Sequence, residues 1–170
     1  MVSDITKKEG ASCVLIGGFA VNYYGFSRQT ADLDFLITEE GFKKISGLLE
    51  DAGYKKEFTQ KVFVKLKGSK LFLMDIDFMF VDKDTLDKII EKGKEIVIAK
   101  NKFIVPSLND LIALKLHSLK YNLKLRQAKD LPDIVSLVKI NEIDAKGREF
   151  RALCLKYANE KIYRRILEFM

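Results

Sequence analysis

Four aspartates carry the most chemistry in this chain. Asp32 and Asp34 stand in "DLDFLI", and Asp75 and Asp77 in "LFLMDIDFMF". Each pair is spaced i, i+2, which on a strand puts both side chains on one face, about 7 Å apart along the backbone. Like charges that close repel unless something positive lies between them. A hard divalent cation is the natural occupant, because magnesium needs only one or two carboxylates plus substrate phosphates. One acid on a water-facing strand is ordinary, but two flanked by Leu33, Phe35 and Leu36 are less so. The second pair weighs more, since a strand this apolar reads as central, where an unpaired carboxylate is costly to bury. If the two strands are neighbours, under 5 Å apart, acids from both converge on one point. Three such carboxylates suit a two-ion phosphoryl-transfer site, two holding the ions and a third, opposite, helping to activate an attacking hydroxyl.

A glycine pair stands upstream, in "VLIGGFAVNYYG". Gly17 and Gly18 lack side chains, so a phosphate can approach the backbone. A helix opening there would add free N–H groups and a partial positive charge. The only histidine, His117, sits two residues after Lys115 and faces away from it on a helix. It reads as a surface or satisfied histidine, which leaves no Ser/His/Asp or Cys/His set to assemble. Tyr23, Tyr24, Phe26 and Tyr121 are open either to stacking on a base or to core packing.

The elements that must position these residues can be read from period and punctuation. "SCVLIG" is a short buried strand, "GGFAVNYYG" a helix closing at Gly25, and "DLDFLI" a second strand. Phe42, Ile45, Leu48 and Leu49 mark a helix that Gly53 ends. "KVFVKLK" and "KLFLMDIDFMFV" alternate about Gly68 and Ser69 and predict a hairpin. "KDTLDKIIEKG" predicts a short helix, and "EIVIAKNKFIVPS" short strands ended by Pro106. From Ser107, a good N-cap with Asp110 in the first turn, the period turns helical. "PDIVSLVKI" and "EFRALCLKYANEKIYRRILEF" continue as helices. The fold class is therefore α+β: a mixed β-sheet flanked by helices over residues 1–105, then a helical subdomain over 106–170. With no Gly/Ser/Pro-rich linker between them, the two are expected to pack as one unit with a cleft between.

The chain has 170 residues, 48% of them hydrophobic, which suits a globular protein. No apolar run is long enough for a bilayer and no leader is evident. The expectation is a cytoplasmic protein with no membrane partner. Cys13 and Cys154 match no metal-ligand spacing and read as buried thiols. The net charge is +6. Residues 1–100 hold 16 basic and 16 acidic side chains, residues 101–170 hold 14 and 8, and "LKLHSLKYNLKLRQAK" holds five basic groups and no acid. That asymmetry points either to a polyanionic partner such as nucleic acid or a triphosphate, or to a solvated helix face.

The run "LIGGFAVNYYGFSRQTADLDFLI" resembles the signature of the DNA polymerase beta-type nucleotidyltransferase superfamily: Gly-Gly, a gap, Asp-x-Asp, and a third carboxylate on a later strand. Here 13 residues separate Gly18 from Asp32. More narrowly, "GGFAVNYYGFSRQTADLDF", "VPSLNDLIALKLHSL" and "RQAKDLPDIVSLV" resemble the minimal nucleotidyltransferases, including AbiEii-like toxins. The resemblance covers roughly residues 12–138. It implies magnesium-assisted transfer of a nucleoside monophosphate from a nucleoside triphosphate to an acceptor hydroxyl, with manganese as a substitute ion. By position it implies that Gly17 and Gly18 hold the triphosphate, that Asp32, Asp34 and Asp77 hold metal, and that Asp77 is the third carboxylate, with Asp75 as its alternative. Arg28 and Thr30 match its "G-x-x-R-x-T-x-D-x-D" run, where Arg28 either contacts phosphate or caps loop carbonyls. It places Lys115, Lys129 and Asp130 at the nucleotide, while Arg126 and Asp133 are expected in an ion network. RNA, a transfer RNA end among them, a small hydroxylated molecule and a protein hydroxyl are the acceptors it leaves open, and a non-catalytic nucleotide- or RNA-binding module of the same fold is the competing reading. A cognate antitoxin is the protein partner it implies.

Overall fold

The computed structural model describes residues 1–121 and 123–170 and, among these, the side chains of all but Leu123 and Leu125. The chain divides into two compact units. The first comprises residues 1–20 and 29–107, and the second residues 21–28 and 108–170.

The first unit opens with helix α1 (Val2–Lys8), which the sequence reading did not find. A five-stranded sheet follows, ordered β1 (Cys13–Leu15), β2 (Asp32–Ile37), β5 (Asp75–Phe80), β4 (Phe63–Gly68), β3 (Tyr54–Gln60). It is mixed, as expected: β2 and β5 run parallel, and the other neighbours are antiparallel. Helix α2 (Gly17–Tyr23) starts straight after β1, and helix α3 (Glu39–Asp51) follows β2. Thr38 caps α3 by accepting the Gly41 N–H at 2.9 Å. Gly53, at φ +102°, ends it in the left-handed conformation. Helix α4 (Lys83–Lys92) is capped by Asp82, whose carboxylate accepts from Thr85 and is held below its usual pKa by those bonds. Strands β6 (Lys94–Ile98) and β7 (Asn101–Val105) form a separate two-stranded sheet.

The core of this unit explains the rigidity of the strands that bear the acids. Phe35 of β2 stacks on Phe78 of β5, ring centroids 5.6 Å apart, and Phe42 of α3 packs 5.2 Å from Phe78. Phe35, Ile37, Ile76 and Phe78, which share one face of these strands, have essentially no exposed surface. Each such side chain contributes about 1.5–3 kcal/mol by leaving water. One face of β2 and β5 is thereby fixed, and the pleat turns the aspartates to the other face.

Two strand expectations need correction. The run from Lys70 was expected to be strand throughout, but β5 begins only at Asp75. Ser69 donates its N–H to the Gly53 carbonyl and Leu73 to the Lys70 carbonyl, which folds residues 69–74 into a loop. Leu71 and Phe72 consequently stand in solvent. Strand β3 was missed because "YKKEFTQ" has nothing to alternate: Tyr54 is buried and the six residues after it are exposed. Its ladder to β4 makes it a strand, not a buried face.

The second unit is helical: α5 (Leu108–Tyr121), α6 (Leu123–Ile140), α7 (Arg148–Tyr157) and α8 (Glu160–Leu167). Its core includes Leu111, Ile112, Leu116, Ile134, Leu137, Cys154 and Ile166. Pro132 was expected near a helix start. It lies inside α6, on the exposed side. The final helical stretch is two helices, broken at Ala158, because Asn159 accepts the Ile162 N–H and starts a new one. Among the described residues, no helix is long and apolar enough to cross a membrane.

Candidate active site

The in-register pairing of β2 with β5 builds the site. Asp32 stands opposite Asp75 and Asp34 opposite Asp77. Residues paired in register share a face, so all four acids start from the same side of the sheet. Three of them meet: Asp32, Asp34 and Asp77 can each offer an oxygen lying within 4.8 Å of the other two. Asp75 is not part of that group. Its carboxylate accepts the Gly68 N–H at 3.1 Å, tying the end of β4 to the start of β5.

Three carboxylates this close repel by roughly 3 kcal/mol per pair at an effective dielectric near 20. The core behind them prevents the strands from parting. The donor set is all oxygen, from side chains on rigid strands, and it fits a hard divalent ion such as magnesium. A thiol-loving metal has no ligand among these three. Thr30 donates its hydroxyl to Asp32 Oδ1 at 3.1 Å, which fixes the rotamer of that acid.

Gly17 has φ +61°, a conformation that favours glycine. A Cβ at this position would overlap the Asp34 carboxylate and reach within 2.7 Å of Asp34 Cβ. The main chain also clasps β2, with Ile16 N–H donating to the Asp34 carbonyl at 2.8 Å. Gly17 is thus needed to seat Asp34 as well as to leave backbone open. Gly18 is buried in the first turn of α2.

A cation that the sequence reading passed over lies beside the acids. Lys65 of β4 is the register partner of Asp77, so it shares the acidic face. Its Nζ lies 3.2 Å from Glu57, which also reaches Lys67 at 3.5 Å. The Glu57 hydrogen bond and charge, then Asp77 and Asp75, raise the Lys65 pKa and keep it an ammonium. The signal was present in "VFVKLK", where lysine occupies the face opposite the buried Val64 and Leu66. It was unreadable without the strand order.

In the second unit the expected nucleotide residues form a buried ion network. Lys115 Nζ donates to Asp133 at 2.7 Å and to Asp130 at 3.1 Å, and Lys115, Asp130 and Asp133 are all buried. Arg28 applies its fork to Asp133, with Nε at 2.7 Å and Nη2 at 3.0 Å. Asn22 bonds the Arg28 N–H and carbonyl, both at 3.0 Å, closing the 22–28 loop. Asp133, expected in a network, is its hub. Lys129 and Arg126 are half-buried on α6, with no ion pair or hydrogen bond among the described residues. His117 is exposed and packs against Tyr121 with the rings tilted by 53°, centroids 4.7 Å apart. Tyr24 is buried and Tyr23 exposed. Burial pushes the Cys13 and Cys154 thiols up to about 11 and about 12, so neither is a ready nucleophile.

Comparisons with known proteins give a family and a fold. A family profile described as "Nucleotidyl transferase of unknown function (DUF2204)" matches residues 2–164. No curated protein sequence matches the chain. Among solved structures, the chain is similar to the lincosamide antibiotic adenylyltransferase LnuA in its lincomycin-bound form. The TM-score is 0.58 at 21% identity, over 82% of this chain and 93% of that one. It is also similar to the antibiotic-resistance factor ANT(2″)-Ia, with TM-score 0.65 at 11% identity, over 91% of this chain and 85% of that one. A third likeness is to an antigenic nucleotidyltransferase-like protein from Paracoccidioides brasiliensis, with TM-score 0.54 at 14% identity, over 92% and 91%. At these identities the likeness shows the fold.

Proposed function

The chain belongs to the family described as nucleotidyl transferases of unknown function (DUF2204), and from that premise we propose that it moves a nucleoside monophosphate from a nucleoside triphosphate to an acceptor hydroxyl. The observation that carries the reading is the convergence of Asp32, Asp34 and Asp77 on one face of β2 and β5. Asp32 and Asp34 are the residues to hold divalent ions, magnesium first and manganese in its place. When bound, such ions would neutralise phosphate charge and orient the triphosphate for in-line attack.

The remaining steps belong to the chain's own groups. Asp77 accepts the proton of the acceptor hydroxyl as that oxygen attacks the α-phosphorus. The bond to the bridging oxygen breaks, and pyrophosphate leaves. Thr30 holds Asp32 in place for this. Gly17 and Gly18 leave the backbone open to the triphosphate. Asp75 braces β4 against β5 and takes no proton. Within the second unit Arg28, Lys115 and Asp130 are tied together through Asp133, and the resemblance assigns Lys115, Lys129 and Asp130 to the nucleotide. Catalysis here is positioning and charge complementarity, which phosphoryl transfer chiefly needs.

Incubation with labelled nucleoside triphosphates, magnesium, total RNA and a panel of hydroxylated small molecules tests the reading. Label should pass to an acceptor with wild type and not with Asp34→Asn. Hydrolysis to free monophosphate alone, or label that persists in the variant, would overturn it. A small hydroxylated acceptor is the second reading, favoured by the fold shared with antibiotic adenylyltransferases.

A further inference from the structure

The charge of this chain is concentrated where halving the sequence conceals it. Residues 54–70, which contain β3 and β4, hold six lysines and one acid, Glu57. Lysine on an edge strand is a common guard against unwanted pairing. That explains part of β3 but not β4, which is paired on both sides. Register decides which of these residues look the same way. Lys65 is opposite Asp77, Phe58 opposite Lys65, and Lys55 opposite Lys67. Phe63 is opposite Met79, two residues beyond Asp77 on the same face. The acidic face of β2 and β5 therefore continues into a strip of Lys55, Lys65 and Lys67 with Phe58 and Phe63. Those two rings lie 6.3 Å apart, and Phe58 is 49% exposed.

We propose that this strip is a binding surface for single-stranded nucleic acid, delivering a terminal hydroxyl to the acid cluster; its role as the acceptor site rests on the transferase reading above. The chemistry is complementary term by term. Lysines at alternate positions meet successive phosphates, and the aromatic faces stack on bases, which is how sequence-tolerant single-strand binding works. The acid cluster repels phosphate unless ions are present, so the backbone is steered onto the lysines and only the end of the strand reaches the carboxylates. Glu57 holds Lys65 and Lys67 in the free protein and sets the affinity by competing with phosphate for them.

Fluorescence polarisation of labelled ten-nucleotide RNA and DNA of one sequence, with the full chain and without nucleotide or magnesium, tests the surface. The triple variant Lys55→Gln/Lys65→Gln/Lys67→Gln should weaken binding at least tenfold. It should also make the slope of log affinity against log salt shallower by about 2. Phe58→Ala should cost about fivefold or more. Glu57→Gln should tighten binding about threefold, a gain that misfolding would not produce. The control Lys124→Gln/Lys161→Gln/Arg165→Gln, on the basic helical half, should bind as wild type does. Binding by either sugar supports the surface, and a preference for RNA would add a contact to its 2′-hydroxyl. The surface is overturned if neither oligonucleotide binds at low salt, if the triple variant binds like wild type, or if the helical control loses binding instead. Transfer to a small acceptor with no oligonucleotide bound would overturn the surface and leave the transferase standing. Lysine-dependent binding with no transfer to any acceptor would do the reverse.

Discussion

Asp34 and Gly17 depend on each other. The carboxylate fills the space a side chain at position 17 would need, and the φ of +61° favours glycine a second time. Gly17→Ala should therefore displace Asp34 and lower nucleotide transfer at least a hundredfold, at about 1–2 kcal/mol of stability by urea unfolding. Alanine at 17 with full activity would detach the glycine from the site. The two aspartates of β5 should separate in the same assay. Asp77→Asn removes a member of the cluster and should abolish transfer. Asp75→Asn weakens only the bond to Gly68 and should keep activity within tenfold of wild type, at about 1 kcal/mol of stability. Equal losses in the two variants would contradict this division of labour.

Elements converted a sequence pattern into a site by register. Each Asp-x-Asp was legible as two acids on one face, because the period of a strand is two. Their convergence needed β2 and β5 to be parallel neighbours with Asp34 opposite Asp77, and no local signal specifies that. The same limit hid β3, whose exposed residues carry no alternation, and Lys65, whose meaning lies entirely in its cross-strand partner. In the helical unit the motif residues proved to stitch elements together. Lys115 of α5 holds two carboxylates of α6, and Asp133 also anchors Arg28 of the 22–28 loop. Lys115→Met leaves those buried carboxylates short of a cation and should cost about 3–5 kcal/mol in chemical denaturation. A loss below 1 kcal/mol would mean the network contributes little and that Lys115 serves chiefly elsewhere.

The whole molecule is cationic by +6, yet its charges are sorted rather than spread. Acids gather on β2 and β5, and lysines on the adjoining β4 and β3. Because the folded chain gathers three acids that the unfolded chain leaves apart, divalent ions should bind the native state in preference. Magnesium at ten times its dissociation constant would then stabilise by about 1.4 kcal/mol. For a protein of this size that raises the melting temperature by about 3–5 °C. The shift should vanish in Asp34→Asn and on adding a chelator. A magnesium shift that survives the substitution would place the ion elsewhere.

The sequence by itself determined the local chemistry: two acidic pairs each on one strand face, a glycine turn ahead of them, a helix after each of β2 and β5, and a helical second half. These are short-range consequences of side-chain period, turn geometry and backbone capping, all written within a few residues. Only the tertiary structure decided which acids meet, that Asp75 turns to Gly68 instead, that Gly17 makes room for Asp34, and that Lys65 faces Asp77. Each of these is a contact between positions that the chain brings together only by pairing strands, and strand order is fixed by which buried faces pack. Phe35 stacks on Phe78 on the buried side here, and the acids stand on the other side of the same two strands.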